Sequence, residues 1–269
     1  MENIARLSAD TTQDSDLPGR RAQVWDAFKK MMRNPLVFTG VVIVIAWMLI
    51  AILADVLAPF QPLQQNLVVR LSPPNEIHRM GTDELGRDVF SRVLYGGQRT
   101  LAMAGLATLV AVLPGSVVGL LAGSLGGWFD RGALVAINVM LAIPPLVLAL
   151  VVLTLVGQGS IRIALAVGLA QIAAVAQVTR AAALSVRAMP YIEGAQALGA
   201  GRMWIVLWHV LPNTLPVMTA YGSVTLSYCV INSAALSFLG LTGELGVPDW
   251  GVILAEGRLE RGPGKDGRP

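Results

Sequence analysis

Charge is scarce in this sequence. Only 14% of its 269 residues are Asp, Glu, Lys or Arg, against 54% hydrophobic, and the mean hydropathy is +0.62. Soluble domains carry about 25% charged residues, so these values exclude an ordinary soluble domain and point to a chain that crosses a membrane several times. The single cysteine, Cys229, excludes a disulfide framework and a cysteine metal site. It lies in an apolar run and reads as a small buried hydrophobe. The two histidines, His78 and His209, have no carboxylate at metal-ligand spacing. No cofactor is expected. The only lysines are Lys29, Lys30 and Lys265, and none closes a glycine-rich loop before Ser or Thr. A P-loop is therefore excluded, and the chain is not expected to be an enzyme. No G-x-S-x-G nucleophile motif occurs. The basic residues form no stripe, which argues against nucleic acid as a partner. The polar first 35 residues do not look like a cleavable leader. No Asp, Glu or Lys falls in the middle of an apolar run, which weakens the case for an ion-coupled carrier.

What is present is a series of long apolar runs, which predicts an all-α polytopic helix bundle. Residues 1–35 form a polar tail ending in Lys29, Lys30 and Arg33. The first spanning helix is expected within 36–57, where Leu36 to Ala54 is uncharged. Nineteen residues at 1.5 Å each just cross a hydrocarbon core of about 30 Å. Residues 58–99 are polar and proline-bearing. Within them Asp83 to Tyr95 is expected to form an amphipathic interfacial helix with Leu85, Val89, Val93 and Leu94 on its apolar face. Residues 100–240 form the core. Leu101 to Trp128 carries Gly115, Gly119 and Gly123 on one face, a pattern suited to close helix packing in a membrane. Ala133 to Val156 is interrupted by Pro144 and Pro145, which bend a helix and free its carbonyls. A path-lining bend and a packing kink are equal readings of it. Ile163 to Val178 holds Gln171 and Gln177. Thr214 to Leu239 holds Ser227 and Asn232 among several hydroxyl residues, which either line a polar path or bond their own helix. Residues 241–269 read as a polar tail, so five spanning helices are expected. With the N-terminus cytoplasmic, ten Lys and Arg fall inside and six outside, before the four in the tail make the sides equal.

One semi-polar stretch stands apart. Residues 187–213, RAMPYIEGAQALGAGRMWIVLWHVLPN, contain the only acid between Asp130 and Glu244. Pro190 suits a first helical turn, and Glu193 in that turn meets the positive end of the helix dipole. Gly199 can take the left-handed conformation that closes a helix. Arg202 to Val210 reads as a second helical piece, which Pro212 is expected to separate from the next run. A helix–glycine–helix elbow of this kind either links two spans or docks a partner. Spacing alone does not choose between them.

The residues EGAQALGAGRMWIVLWHVLPN resemble the EAA loop of bacterial ABC importer permeases. Glu193, Ala195, Gly199, Leu211 and Pro212 stand at its matching positions, and Gly194 replaces the middle alanine. NPLVFTGVVIVI, GTDELGRDVFSRVLYGGQRTL, ALSFLGL and PDWGVILAEGR resemble the dipeptide/oligopeptide/nickel permeases of the C-type subunit class, over about residues 30 to 258. The resemblance implies a type I importer fold in the bacterial inner membrane, with the elbow as a coupling helix. Glu193 to Gly199 would touch an ATPase, with Arg202 and His209 nearby. It implies a second homologous permease, two cytoplasmic ATP-binding subunits, an extracytoplasmic solute-binding protein and membrane lipid as partners. Pro144, Pro145, Gln171, Gln177, Ser227 and Asn232 would line the path. It also implies a sixth spanning helix after AEGR, where this sequence runs LERGPGKDGRP, so either a truncated or frameshifted product or an unusual natural variant is expected. A self-sufficient carrier or channel and a non-transporting remnant are the alternatives.

Overall fold

The computed structural model describes residues 33–242 and 246–260. The chain divides into two compact units, residues 1–49 and 50–269. Helix α1, Pro35–Ile52, accounts for the described part of the first and runs just past the boundary. Its start is set locally, because the Asn34 side chain accepts the Leu36 N–H at 3.0 Å and Pro35 needs no donor. The 18 uncharged residues of α1 match the expected first span. The basic residues Lys29 and Lys30 lie outside the described residues.

In the second unit a short helix, α2 (Ala54–Leu57), leads into the irregular 58–88 segment. The helix expected from Asp83 begins only at Val89. Asp83 to Arg87 instead form a turn, with Gly86 at φ +69° packed so closely on the Asn66 carbonyl that no side chain fits. Asp88 then caps the helix, accepting the Ser91 N–H at 2.8 Å and the Ser91 hydroxyl at 2.7 Å. Helix α3, Val89–Leu125, runs 37 residues without interruption. It therefore joins the end of the polar segment to the second apolar run.

Glycines decide how the core packs. Gly115, Gly119 and Gly123 of α3 lie against the backbone of α6, Ser160–Arg187. A Cβ added at Gly115 or Gly123 would stand 2.8 Å from the Ile172 oxygen or 2.6 Å from the Arg180 oxygen. At Gly119 it would overlap the Ala176 carbonyl. From the other side, Gly168 of α6 admits Ala107 and Val110 of α3. These contacts advance together along both helices, so α3 and α6 run parallel. The chain between them must return across the same thickness. It does so as α4 (Gly127–Leu141) and α5 (Pro145–Val156), bent by 92° at Pro144 and Pro145. Fifteen and twelve residues make legs of about 22 and 18 Å, which at a right angle reach about 29 Å end to end and still cross a bilayer core.

Helix α7, Pro190–Ala197, follows α6. Helix α8 then runs from Arg202 to Phe238 as one 37-residue helix. The expected break at Pro212 is absent. Val206–Val210 form a π turn, in which the Leu211 N–H bonds the Val206 oxygen five residues back. A widened turn makes room for the proline ring that would otherwise collide with the preceding carbonyl. Counting the bent pair as one crossing, five spans are present among the described residues. The central core joins α3, α5, α6 and α8 through Met103, Ala107, Ala149, Leu153, Val167 and Leu236, with Cys229 fully buried among them. The region expected to be a polar tail contains a ninth helix, α9 (Trp250–Glu260), packed on α3 and α8. Gly251 lets it approach so closely that an added methyl would overlap the Ala234 carbonyl. The stretch GPGKDGRP lies outside the described residues.

Candidate docking elbow and transport surface

The elbow is built from two short pieces held by one apolar core. Helix α6 ends at Arg187, and Met189 takes an extended conformation that lets Pro190 open α7. Ile192 points inward and is fully buried with Leu120, Ala183, Ile205, Val206 and Val210. Glu193, Gly194, Gln196 and Leu198 lie on the exposed side, while Ala195 is half-buried. Gly199 has φ +84°. The Ala200 N–H bonds the Ala195 oxygen and the Gly199 N–H bonds the Gln196 oxygen, both at 3.0 Å. This paired 6→1 and 5→2 arrangement is a Schellman stop. Arg202 opens α8 and is exposed. His209 sits against Trp204 at 4.9 Å, edge to face, and against Tyr191 of α7 at 6.0 Å. Leu211 and Pro212 are half-buried just past the π turn. The elbow is thus rigid toward the bundle and presents a mixed surface outward, with Glu193 as its one acid.

The residues expected on a path do not share one face. Gln171 is buried in the helix packing, whereas Gln177 on the same helix is exposed. Pro144 and Pro145 are exposed at the bend. Ser227 is exposed and Asn232 half-buried. Ser227 belongs to a ladder on α8. The hydroxyls of Thr219, Ser223 and Ser227 donate to the oxygens of Leu215, Thr219 and Ser223, at 3.0, 3.3 and 3.3 Å. Their donors are satisfied internally, and lone pairs remain as acceptors on an exposed face.

Two ionic features carried no local signal in the sequence. Asp130 of α4 holds Arg180 of α6 bidentately, at 2.5 and 2.8 Å, across 50 residues. At the opposite end of α3 from the elbow, Asp83 takes Arg87 at 2.7 Å and Arg92 at 2.5 Å. Glu256 of α9 takes Arg87 at 3.2 Å and Arg92 at 2.6 Å. Arg92 is 2% exposed. Two positive and two negative groups cancel here, as burial demands. The Trp250 indole N–H donates to the Val93 oxygen at 3.2 Å and its backbone N–H to Thr100 Oγ1 at 3.1 Å. Asp249 caps α9 through the Val252 N–H at 3.0 Å. Residues 82–92 and 249–256, two motifs far apart in sequence, therefore form one clamp. His78 closes its edge, 3.0 Å from Asp88 and stacked near Phe60.

Comparison with known proteins bears on both ends of the bundle. The model of the binding-protein-dependent transport system inner membrane component matches residues 115–258, from the glycine seam through the elbow to the clamp helix. The chain belongs to this permease family. The N-terminal transmembrane domain of oligopeptide transport permease C matches residues 23–74. This permease is 35% identical over 225 residues to a probable D,D-dipeptide transport system permease of Escherichia coli K12, covering 84% of this chain and 76% of the relative. It is 31% identical over 233 residues to a dipeptide transport system permease of Alkalihalophilus pseudofirmus, covering 87% and 77%. It is 33% identical over 238 residues to a glutathione transport system permease of Pectobacterium atrosepticum, covering 88% and 79%. The permease is thus a multi-pass membrane transport component of the peptide type and not an enzyme.

Proposed function

We propose that this permease is the membrane-spanning subunit of an ATP-driven importer for peptides or a related small solute. It pairs with a second homologous permease, receives solute from an extracytoplasmic binding protein and is driven by two cytoplasmic ATP-binding subunits. Its N-terminus and elbow face the cytoplasm. The observation that carries this reading is the construction of the elbow. Glu193, Gly194 and Gly199 are exposed, while Ile192 and Ile205 fix the same element to the ends of α3 and α6. A push on the exposed face would therefore move α6 and α8 together rather than bend a loose loop. Arg202 and His209 flank that face, and Ala195, Leu211 and Pro212 hold its shape. The peptide class follows the names of the relatives and agrees with the acceptor face of Thr219, Ser223 and Ser227, which suits peptide N–H groups and an ammonium. On this reading Asn232, Gln171, Gln177 and the bend at Pro144 and Pro145 contribute to the path or to its movement.

The test is Glu193→Lys in the co-expressed complex reconstituted in liposomes. Nucleotide hydrolysis is expected to persist while solute-stimulated hydrolysis and uptake fall together. Unchanged coupled uptake would remove Glu193 from the contact. Uptake by the purified chain without nucleotide would favour a self-sufficient carrier instead.

A further inference from the structure

Behind the elbow lies a cavity of about 290 Å³. Its floor is apolar, made by Ile192, Ile205, Val206 and Val210. Its polar lining is Arg187 at the end of α6, Gln196 of α7, Arg202 at the start of α8 and Ser124 at the end of α3. No carboxylate among the described residues lines it. Neither arginine forms an ion pair with an acid among the described residues. Asp130, within electrostatic reach of Arg187, already has both oxygens on Arg180. The Ser124 hydroxyl is closed off from the open space and has no hydrogen-bond partner among the described residues. Two guanidinium groups and an amide over an apolar floor match a phosphate ester with an apolar part.

We infer that this cavity binds the phosphate ester of an anionic amphiphile, with Arg187 and Arg202 on the phosphate and Gln196 completing its hydrogen bonds. Its place suits a lipid headgroup. It sits where α6 ends and α8 begins, and the exposed Trp204 and Trp208 on the first turns of α8 are the side chains that favour a membrane–water boundary. Free glycerol phosphate offers the same chemistry from solution. An occupant would bridge the end of α3 to both pieces of the elbow, and so stiffen the surface proposed to meet an ATPase. Binding itself does not depend on that proposal.

The test uses the purified full chain in a neutral detergent, without any ATPase. Its melting temperature is followed while phosphatidylglycerol, phosphatidylethanolamine or glycerol 3-phosphate is added. Phosphatidylglycerol is expected to raise it saturably. The Arg187→Gln/Arg202→Gln double variant should need about tenfold more lipid or worse, the scale of losing a charge-assisted bond. Arg131→Gln, at an exposed arginine outside the cavity, should titrate like the unaltered chain. An equal effect of glycerol 3-phosphate would support the site and assign it a soluble ligand. Equal stabilisation by phosphatidylethanolamine, or an unchanged titration in a folded double variant, would overturn it. Either result leaves the Glu193 experiment standing, and failure of that experiment leaves this one standing.

Discussion

Arg92 is the most demanding residue in the chain. It is buried, and it reaches Asp83 and Glu256 with a single nitrogen, Nη1. Its Nε and Nη2 have no partner among the described residues. Removing it leaves Arg87 as the one cation facing both Asp83 and Glu256 in this cluster. Arg92→Ala is expected to lower stability by about 3–5 kcal/mol, read from unfolding in mixed micelles. Arg92→Lys should recover only part of this loss, because a single ammonium replaces a planar fork. The neighbouring acids respond to pH in opposite senses. Burial raises the Asp83 carboxyl, but the N–H groups of Arg87 and Leu85 and the Arg87 guanidinium outweigh it and hold it below its ordinary value. Its contribution is present above the ordinary carboxylate range and is lost as pH falls through the lowered value. Asp249 is the reverse. Burial holds its carboxyl above the ordinary value, against the opposing Val252 and Gly251 N–H groups and the charge of Arg99. Its contribution is full below the ordinary carboxylate range and is lost as pH rises through the raised value. Asp249→Asn keeps an acceptor for the helix cap and removes the proton. As pH rises above the ordinary carboxylate range, the melting temperature of the unaltered chain should fall relative to this variant. A constant difference would show that Asp249 does not titrate there.

At the scale of elements, the glycine seam makes the sharpest prediction. Gly119→Ala places a methyl on the Ala176 carbonyl, so α3 and α6 must part. A cost of about 1–3 kcal/mol is expected from overpacking, measured as a lowered melting temperature. Gly105 is the control, since nothing lies within 4 Å of an added Cβ. Gly105→Ala should be neutral or stabilise by up to about 1 kcal/mol. This seam was legible in advance, because a four-residue glycine spacing puts all three on one face whatever surrounds them. The elbow was legible for the same kind of reason: Pro190, Glu193 and Gly199 each carry a local preference that nothing overrides. Three features were not legible. Pro212 breaks an α-helix in isolation, but a π turn absorbed it. Asp83 to Tyr95 has a helical pattern, yet contacts with Asn66 and the Asp88 cap moved the start to Val89. Helix α9 looked like a polar tail because its apolar run is short and interrupted by Glu256 and Arg258, and its place is set by Trp250 and Glu256 meeting residues more than a hundred positions away and by Gly251 seating on Ala234.

For the whole molecule, the parallel course of α3 and α6 fixes the sidedness of everything between them. The end of α3, the elbow and the start of α8 must share one side of the membrane, and the 58–88 segment the other. The lone cysteine makes this testable. In a Cys229→Ser background, a cysteine at Glu193 or Arg202 should react with an impermeant maleimide only from the side opposite to a cysteine at Glu76. Both positions labelled from the same side would refute the five-crossing topology. If the elbow faces the cytoplasm as proposed, intact cells should label Glu76→Cys alone.

The clamp also has a consequence in time. Arg87 and Glu256 are 169 positions apart. At a synthesis rate of about 5–20 residues per second, Glu256 leaves the ribosome roughly 8–34 s after Arg87. Throughout that interval Asp83 is the one acid paired with both arginines, and the second, Glu256, has not been made. The first half of the protein must therefore wait, inserted but unsealed, until α9 arrives. A nascent chain stalled before residue 256 should be protease-sensitive around residues 79–92, and release of the stall should protect them.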